Sequence, residues 1–442
     1  MKFLSVGGGA REHAIVRALV EGDAEVYAAM GNRNPGIARL AKDVLYVKES
    51  EVPRIVEWAA AKGCESAVIG PEAPLAVGLT DALQKHGIKV AGPSQKAAMI
   101  ETSKEFARNL MNAHEIPGRV LSQGFEDLDA LQAFLRDYSG DVVVKPVGLT
   151  GGKGVRIMGE HLHSHEDVVQ YAKEIIQTQI GGSPRFLIEE RLEGEEFTLQ
   201  CLVDGKKAIP MPAVQDHKRA YEMDRGPNTG GMGSYSQEDH LLPFLTRDGY
   251  EQGREIVQRT VDALRQDGVE FRGFLYGQFM LTSKGVKVVE FNARLGDPEA
   301  MNVLPLLETN FADLCAGIAE GALPSGVRFA KKATVCKYVV PKGYGIKSVV
   351  GAEIKIDEKK IGRAGAELFY ASVNEEDGRI LTTKSRALAV LGIRGKIAEA
   401  EKVCERALRH IRGEVYVRHD IGTQTLIERK MARMKGILRD KA

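Results

Sequence analysis

Lys145-Pro146-Val147-Gly148-Leu149-Thr150-Gly151-Gly152-Lys153-Gly154 decides how the middle of this 442-residue chain is folded. An apolar run from Asp141 ends in Lys145, a glycine loop carries a second lysine, and another strand-like run, Val155 to Met158, follows. The order G-x-x-x-x-G-K-[ST] is not met and a strand comes next, so the segment is no P-loop. A glycine loop between two strands can instead fold down over a triphosphate as a lid, with its amides and Lys153 on the phosphates.

Further along, Ile188-Glu189-Glu190-Arg191-Leu192-Glu193-Gly194-Glu195-Glu196 runs from an apolar strand into clustered acids. This suits a hinge beside an adenine followed by a carboxylate for ribose hydroxyls; alone, it reads as a solvated turn. In Val288-Val289-Glu290-Phe291-Asn292-Ala293-Arg294-Leu295-Gly296-Asp297-Pro298-Glu299, the period of two puts Glu290 and Asn292 on one face of a strand. Two oxygen donors there can hold Mg²⁺, whose other positions go to water and phosphate oxygens. Gln278, on the preceding strand, can face them, and Arg294 stands where a guanidinium could stabilise a phosphoryl group or an acyl phosphate.

Between these segments lies Gln215-Asp216-His217-Lys218-Arg219, with Gly226-Pro227-Asn228-Thr229-Gly230-Gly231-Met232-Gly233 close behind. The stretch reads as too polar and too glycine-rich for a core element. Its glycines let the backbone approach a ligand with amides exposed, and its mixed charges suit a zwitterionic or phosphorylated small molecule. A solvated surface loop is the plain alternative.

The first hundred residues alternate buried strands (Phe3 to Val6, Glu25 to Ala28, Ala67 to Gly70, Ile88 to Ala91) with helices (Ala10 to Val20, Val52 to Lys62, Val77 to His86). That pattern is a doubly wound parallel sheet, with ligands expected at the carboxyl ends of its strands. Gly7-Gly8-Gly9 opens the first helix, but Glu12 stands where a dinucleotide fingerprint needs its third glycine. A glycine turn at a helix N-terminus remains, an anion site by its amides and dipole, with Arg11, Glu12 and His13 on the first turn. A helix over Lys96 to Ala113 follows, and helix Tyr250 to Gln266 precedes long strands at Gly273 to Thr282 and Gly285 to Asn292. After Gly321 the chain becomes β-rich, with strands near Thr334 to Val340, Glu367 to Val373 and Ala387 to Leu391, then a helix from Ile397 to His410.

The fold expected is therefore α/β. It comprises an N-terminal doubly wound domain (1–101), a central region (102–325) with a smaller lid subdomain at about 120–193, and a β-rich C-terminal domain (326–430). A net charge of +1 argues against nucleic acid as the main partner. No apolar run approaches the roughly 20 residues that span a bilayer, and the N-terminus reads as a first strand, not a signal peptide. Five scattered cysteines without a C-x-x-C pair suit reduced thiols in a cytoplasmic protein, and His161-Leu162-His163-Ser164-His165 reads as a loop without metal-ligand partners.

The lysine strand, glycine loop, acidic hinge and E-F-N strand, in that order, resemble the ATP-grasp ligases. Within them the chain resembles the phosphoribosylamine–glycine ligase family over essentially its whole length. The resemblance rests on Gly7 to Ala14, Gly70 to Leu75, Gln215 to Arg219, Gly226 to Gly233 and Glu290 to Glu299. Thr150 and Gly151 depart from the usual alanines of the lid loop, and Pro341 to Gly345 and Ser385-Arg386 match only loosely, so no site residue is taken from the C-terminal domain. Sister ATP-grasp ligases and carboxylases should lack the Q-D-H-K-R stretch.

The resemblance implies ligation of glycine to 5-phosphoribosylamine with ATP and Mg²⁺ (or Mn²⁺) in purine biosynthesis, by a monomer or weak dimer that binds neither nucleic acid nor membrane. It implies that Lys104, Lys145 and Lys153 hold the nucleotide, that Glu189 and Leu192 border the adenine, and that Glu196 takes the ribose. Gln278, Glu290 and Asn292 would hold the metal. Asp216, Lys218, Thr229, Gly230, Gly231, Arg294 and Asp297, with Gly8, Gly9, Arg11, Glu12 and Glu72, would surround the substrates; Arg294, Lys153 and Asp216 are the catalytic candidates. If residues 148–154 close over the phosphates, an ATP analogue with Mg²⁺ should slow their amide hydrogen exchange by about tenfold or more. Unchanged exchange there would remove the lid assignment.

Overall fold

In the computed structural model, which describes residues 1–148 and 154–439, the N-terminal sheet has five parallel strands. Across the sheet they run Asp43–Tyr46, Glu25–Met30, Lys2–Val6, Ser66–Ile69, Lys89–Ala91. The doubly wound fold expected from the alternating runs is what forms. Asp43–Tyr46 gave no apolar signal because it is the edge strand, and two of its four residues are exposed. Short helix Pro35–Leu40 starts where the Asn34 side chain accepts the N–H groups of Gly36 and Ile37. The single helix expected over Lys96 to Ala113 is broken into Met99–Thr102 and Lys104–Ala113, because Ser103 is extended and its hydroxyl caps the second at Phe106 N–H (3.2 Å).

The central region holds two antiparallel sheets. One contains Ala208–Pro210, Gly194–Asp204, Arg272–Thr282 and Gly285–Asn292, in that order. The other, inside the expected lid subdomain, runs Ser122–Phe125, Phe186–Glu190, Val142–Pro146, Arg156–Ile157. Helices Leu128–Asp137 and His165–Thr178 cover this second sheet around a separate core that includes Phe125, Leu131, Val144, Val168 and Ile188. Ser164, within the histidine-rich run, accepts the Asp167 N–H and starts the second of these helices. Among the described residues no cluster of three His, Cys, Asp or Glu side chains suits a metal.

A third sheet crosses the expected boundary at 325/326. Its order is Gln215–Asp216, Gly233–Ser236, Ala333–Pro341, Leu388–Arg394, Ala366–Tyr370, and Val415–Val417 pairs with the Ala333–Pro341 strand. Gln215 and Asp216 of the Q-D-H-K-R segment and Gly233 at the end of the glycine-rich segment thus belong to the same sheet as the C-terminal strands, while Arg219–Tyr221 and Arg225–Asn228 pair with each other as a separate two-stranded sheet. The register pairs Gly233 with Lys337 and Ser234 with Cys336. Helix Gln424–Arg439 then returns to the central region, where Arg433 and Lys430 reach Glu195 (3.2 and 3.4 Å). All five cysteines are buried and unpaired, and among the described residues no helix is long and apolar enough to cross a membrane.

Candidate active site

The nucleotide candidates converge where the lid sheet meets the central sheet. Glu189, on Phe186–Glu190, is gripped by Arg108 through both oxygens (2.6 and 3.0 Å) and by Lys145 Nζ (2.6 Å). Arg108 also donates to the Val288 and Val289 carbonyls (3.1 and 2.8 Å), which ties the lid to the metal-candidate strand. Burial alone would raise the Glu189 pKa, but Arg108 and Lys145 outweigh it and hold it at about 2. Lys104 donates to the Gly148 carbonyl (2.9 Å). Leu192 lies in the connection between Glu190 and the strand Gly194–Asp204, at the expected hinge, and is half-buried. Lys153 lies outside the described residues.

Gln278 pairs with Glu290, and Tyr276 with Asn292, across adjacent antiparallel strands, so all four share one face. Gln278 Nε2 donates to Glu196, while its Oε1 accepts from Lys218 Nζ at 2.5 Å. Burial pushes Glu290 up, yet Lys218, Lys145, Lys104 and Arg294 together hold it below the ordinary carboxylate range. One carboxylate and two amide oxygens on this face form a hard-oxygen donor set that fits a divalent cation sharing phosphate oxygens. Arg294 is already engaged: its guanidinium meets Glu101 (3.0 Å) and Glu72 (3.4 Å), and lies 3.5 Å from Asn292 Oδ1.

The Q-D-H-K-R segment is neither a solvated loop nor too polar for the interior. Its alternation buries Gln215 and His217, whereas Asp216 and Lys218 turn to the other face. Burial holds His217 neutral, with its pKa down at about 3, so it adds no positive charge. The glycine segment also departs from expectation, because its amides are already used. Thr229 N–H donates to Lys218 O (2.8 Å), Gly230 N–H to the Tyr344 hydroxyl (3.4 Å), Gly231 N–H to Thr229 Oγ1 (3.1 Å) and Met232 N–H to His217 O (2.8 Å). Glycine is required there for close approach. Gly231, at φ +107°, would place a Cβ 2.8 Å from Asp216 Oδ1, and Gly233, at φ +148°, would place one 2.3 Å from the Cys336 carbonyl.

Burial drives the Asp216 carboxyl well above its usual range; Glu299 pushes the same way, while Lys218 and Arg386 oppose. Glu299 is likewise raised by burial and accepts from the Tyr276 hydroxyl (2.9 Å). Asp297 is held by Arg386 (2.9 Å) and by the Tyr338 hydroxyl.

The N-terminal turn is not an open anion site. Glu12 accepts the Gly9 N–H (2.7 Å) and the Arg11 Nε–H (2.6 Å), so a carboxylate already caps that helix. Arg11 also donates to the Leu295 carbonyl (3.2 Å). The Gly8 carbonyl accepts from Asn32 and Asn34, which also bond to C-terminal carbonyls at Ala371, Val373 and Tyr370. His13 turns inward, its Nδ1 accepting the Tyr370 N–H (2.9 Å), and burial lowers its pKa to about 3.

The sequence reading missed Glu101, Arg108, Tyr276, Glu299, Tyr338 and Arg386. Glu299 and Arg386 stand at the edges of legible motifs; Glu101, buried and pushed up to about 6 by that burial, sits in a helix with no local cue.

Glu189 has an ordinary pKa of 4.5 and a folded-state pKa of about 2, so its pairing contributes stability above pH 4.5 that is lost as pH falls toward 2. Glu189→Gln leaves two cations without their carboxylate and should cost about 3 kcal/mol at pH 7. Urea unfolding across pH should show the gap between parent and variant closing below pH 4.5. A gap that is constant with pH would contradict the assigned pairing.

Residues 1–101 match the family model for the phosphoribosylglycinamide synthetase N domain, residues 102–300 its ATP-grasp (A) domain and residues 334–424 its C domain. A phosphoribosylamine–glycine ligase of Methanothermobacter thermautotrophicus is 53% identical over 437 residues, covering 99% of this chain and 100% of that one. One from Thermococcus gammatolerans is 47% identical over 435 residues, covering 98% of each. The crystal structure of phosphoribosylamine–glycine ligase from Thermotoga maritima aligns with a TM-score of 0.83 at 27% identity, covering 95% of this chain and 100% of that one. The biotin carboxylase domain of Hydrogenobacter thermophilus 2-oxoglutarate carboxylase shares the fold, with a TM-score of 0.73 at 17% identity over 100% of this chain and 95% of its own. With its three units matched in order and close relatives spanning it nearly end to end, the chain belongs to the phosphoribosylglycinamide synthetase family of ATP-grasp ligases.

Proposed function

We propose that the chain ligates glycine to 5-phosphoribosylamine at the cost of ATP, through glycyl phosphate, to give glycinamide ribonucleotide, ADP and phosphate in de novo purine synthesis. The observation that carries this reading is the 2.5 Å contact from Lys218 Nζ to Gln278 Oε1. It joins the segment bearing Asp216 to the face bearing Glu290 and Asn292, which supports an amino-acid pocket adjoining a phosphate-transfer site.

A carboxylate is a poor acyl donor because its oxygen leaves badly. A glycine carboxylate oxygen therefore bonds to the γ-phosphorus as the bond to ADP breaks. The amine nitrogen of phosphoribosylamine then bonds to the carbonyl carbon, phosphate departs, and the nitrogen gives up a proton. The protein's task is to position the parts, balance charge and exclude water.

Lys104, Lys145 and Lys153 hold the triphosphate. Glu189 fixes Lys145 beneath it, with Leu192 beside the adenine and Glu196 within reach of the ribose. Gln278, Glu290 and Asn292 are the residues to hold Mg²⁺ or Mn²⁺. Such an ion, when bound, would neutralise charge developing on the phosphates. Arg294, steadied by Glu72 and Glu101, faces the acyl phosphate. Asp216, with Glu299 near it, receives the glycine ammonium: two desolvated carboxylates whose fields oppose each other are stabilised by an added cation. Lys218, Thr229, Gly230, Gly231 and Asp297 form the wall of that pocket. Gly8, Gly9, Arg11, Glu12 and Glu72 border the sugar side.

Phosphate release from ATP should require both glycine and freshly made phosphoribosylamine; release independent of glycine would sink the reading. Glu290→Gln should retain its melting temperature and lose kcat roughly a thousandfold. A variant that keeps more than about a tenth of the parent kcat would remove Glu290 from the metal set. Hydrogen bonds to a charged group contribute about 1.5–3 kcal/mol, so Asp216→Asn should raise the glycine KM roughly ten- to a hundredfold and barely move that of ATP. A rise in the phosphoribosylamine KM instead would place Asp216 on the sugar.

A further inference from the structure

Arg386 comes from the C-terminal domain, yet its guanidinium is spent entirely on the wall of the proposed substrate pocket. Nη1 donates to the carbonyls of Gly230, Gly231 (3.2 Å) and Asp297 (3.0 Å). Nη2 reaches the Asp297 carboxylate at 2.9 Å. The plane lies 4.5 Å over the Tyr338 ring, and the Tyr338 hydroxyl donates to the other Asp297 oxygen. Two segments far apart in sequence, the glycine segment and the turn before helix Glu299–Val303, are thereby pinned to one planar group.

The platform beneath is firm. The Arg386 carbonyl accepts the Ser372 N–H (2.9 Å), and the adjacent Ala387 N–H donates to Val339 O (3.0 Å). The pinned segments also bear on the pocket directly. Gly231 packs close to Asp216, and Glu299 begins the helix that follows Asp297 and Pro298. Only a planar fork can satisfy three carbonyls and a carboxylate while stacking on a ring; an ammonium on a flexible stem cannot.

We propose that Arg386 is a positioning residue for glycine: it holds the Gly230–Gly231 backbone and Asp297 as one rigid wall, which sets the distance from Asp216 and Glu299 to the bound amino acid. The C-terminal domain then takes part in the reaction by completing the pocket, without touching the nucleotide. This inference rests on the reading of the pocket as the glycine site.

Arg386→Lys keeps the charge and loses the fork. It should raise the glycine KM about tenfold or more, lower kcat less, and leave the ATP KM within about twofold. Tyr338→Phe, which removes only the hydroxyl on Asp297, should raise the glycine KM several-fold in the same direction. Binding of ADP and Mg²⁺ measured by calorimetry should match the parent for both variants. Glycine KM values within about twofold of the parent in both variants would overturn the proposal. So would a parallel loss of nucleotide binding, which would make Arg386 a general structural residue. A parent chain that releases no phosphate in response to glycine would defeat the reaction itself, whereas an active parent with unaltered variants defeats only the role of Arg386.

Discussion

Taking a carboxylate out of water costs several kcal/mol unless cations or hydrogen-bond donors come with it. The junction of the three sheets buries Glu101, Glu189, Asp216, Glu290 and Glu299, and their surroundings differ in kind. Glu189 and Glu290 are outweighed by positive charge and stay ionised. Asp216 and Glu299 are not, and their pKa values rise, as does that of Glu101, whose burial outweighs its pairing with Arg294. The division separates Glu189 and Glu290, set among lysine and arginine, from Asp216 and Glu299, beside which a further cation would be stabilised. Much of the local geometry follows from it: Arg108 joins Glu189 to the carbonyls of Val288 and Val289, and Lys218 crosses between sheets to lie near Glu196 and Gln278.

Gly285–Asn292 is legible to the residue although it is an edge strand that mixes half-buried and buried positions, and Phe186–Glu190, buried over four of its five residues, shows as the apolar strand that runs into acids at Glu189. The lid helices Leu128–Asp137 and His165–Thr178 were passed over, because each buries only a narrow stripe against its own small core. The metal-candidate face was legible from the period of two in Glu290 and Asn292. The use of the glycine amides was not, since it depends on Tyr344 and His217, which no local pattern links to Gly230 or Met232.

Glu12 and Arg11 show a different limit. Sequence spacing put them on the first turn of a helix, which is correct, but could not say that Glu12 would satisfy Gly9 itself. A carboxylate at the third helical position commonly turns back on the cap in this way. Arg386 lay beyond reach for a related reason. Its four partners belong to two segments that approach one another only after the third sheet has formed.

That sheet also bears on the order of events during synthesis. Gln215–Asp216 pairs with Gly233–Ser236, whose other edge finds its partner only in Ala333–Pro341, which leaves the ribosome well after both. The N-terminal sheet and the lid have their own strands in hand as they emerge. The pair Gln215–Asp216 and Gly233–Ser236 does not, and a nascent chain halted near residue 325 would carry an unpaired strand edge at the candidate site.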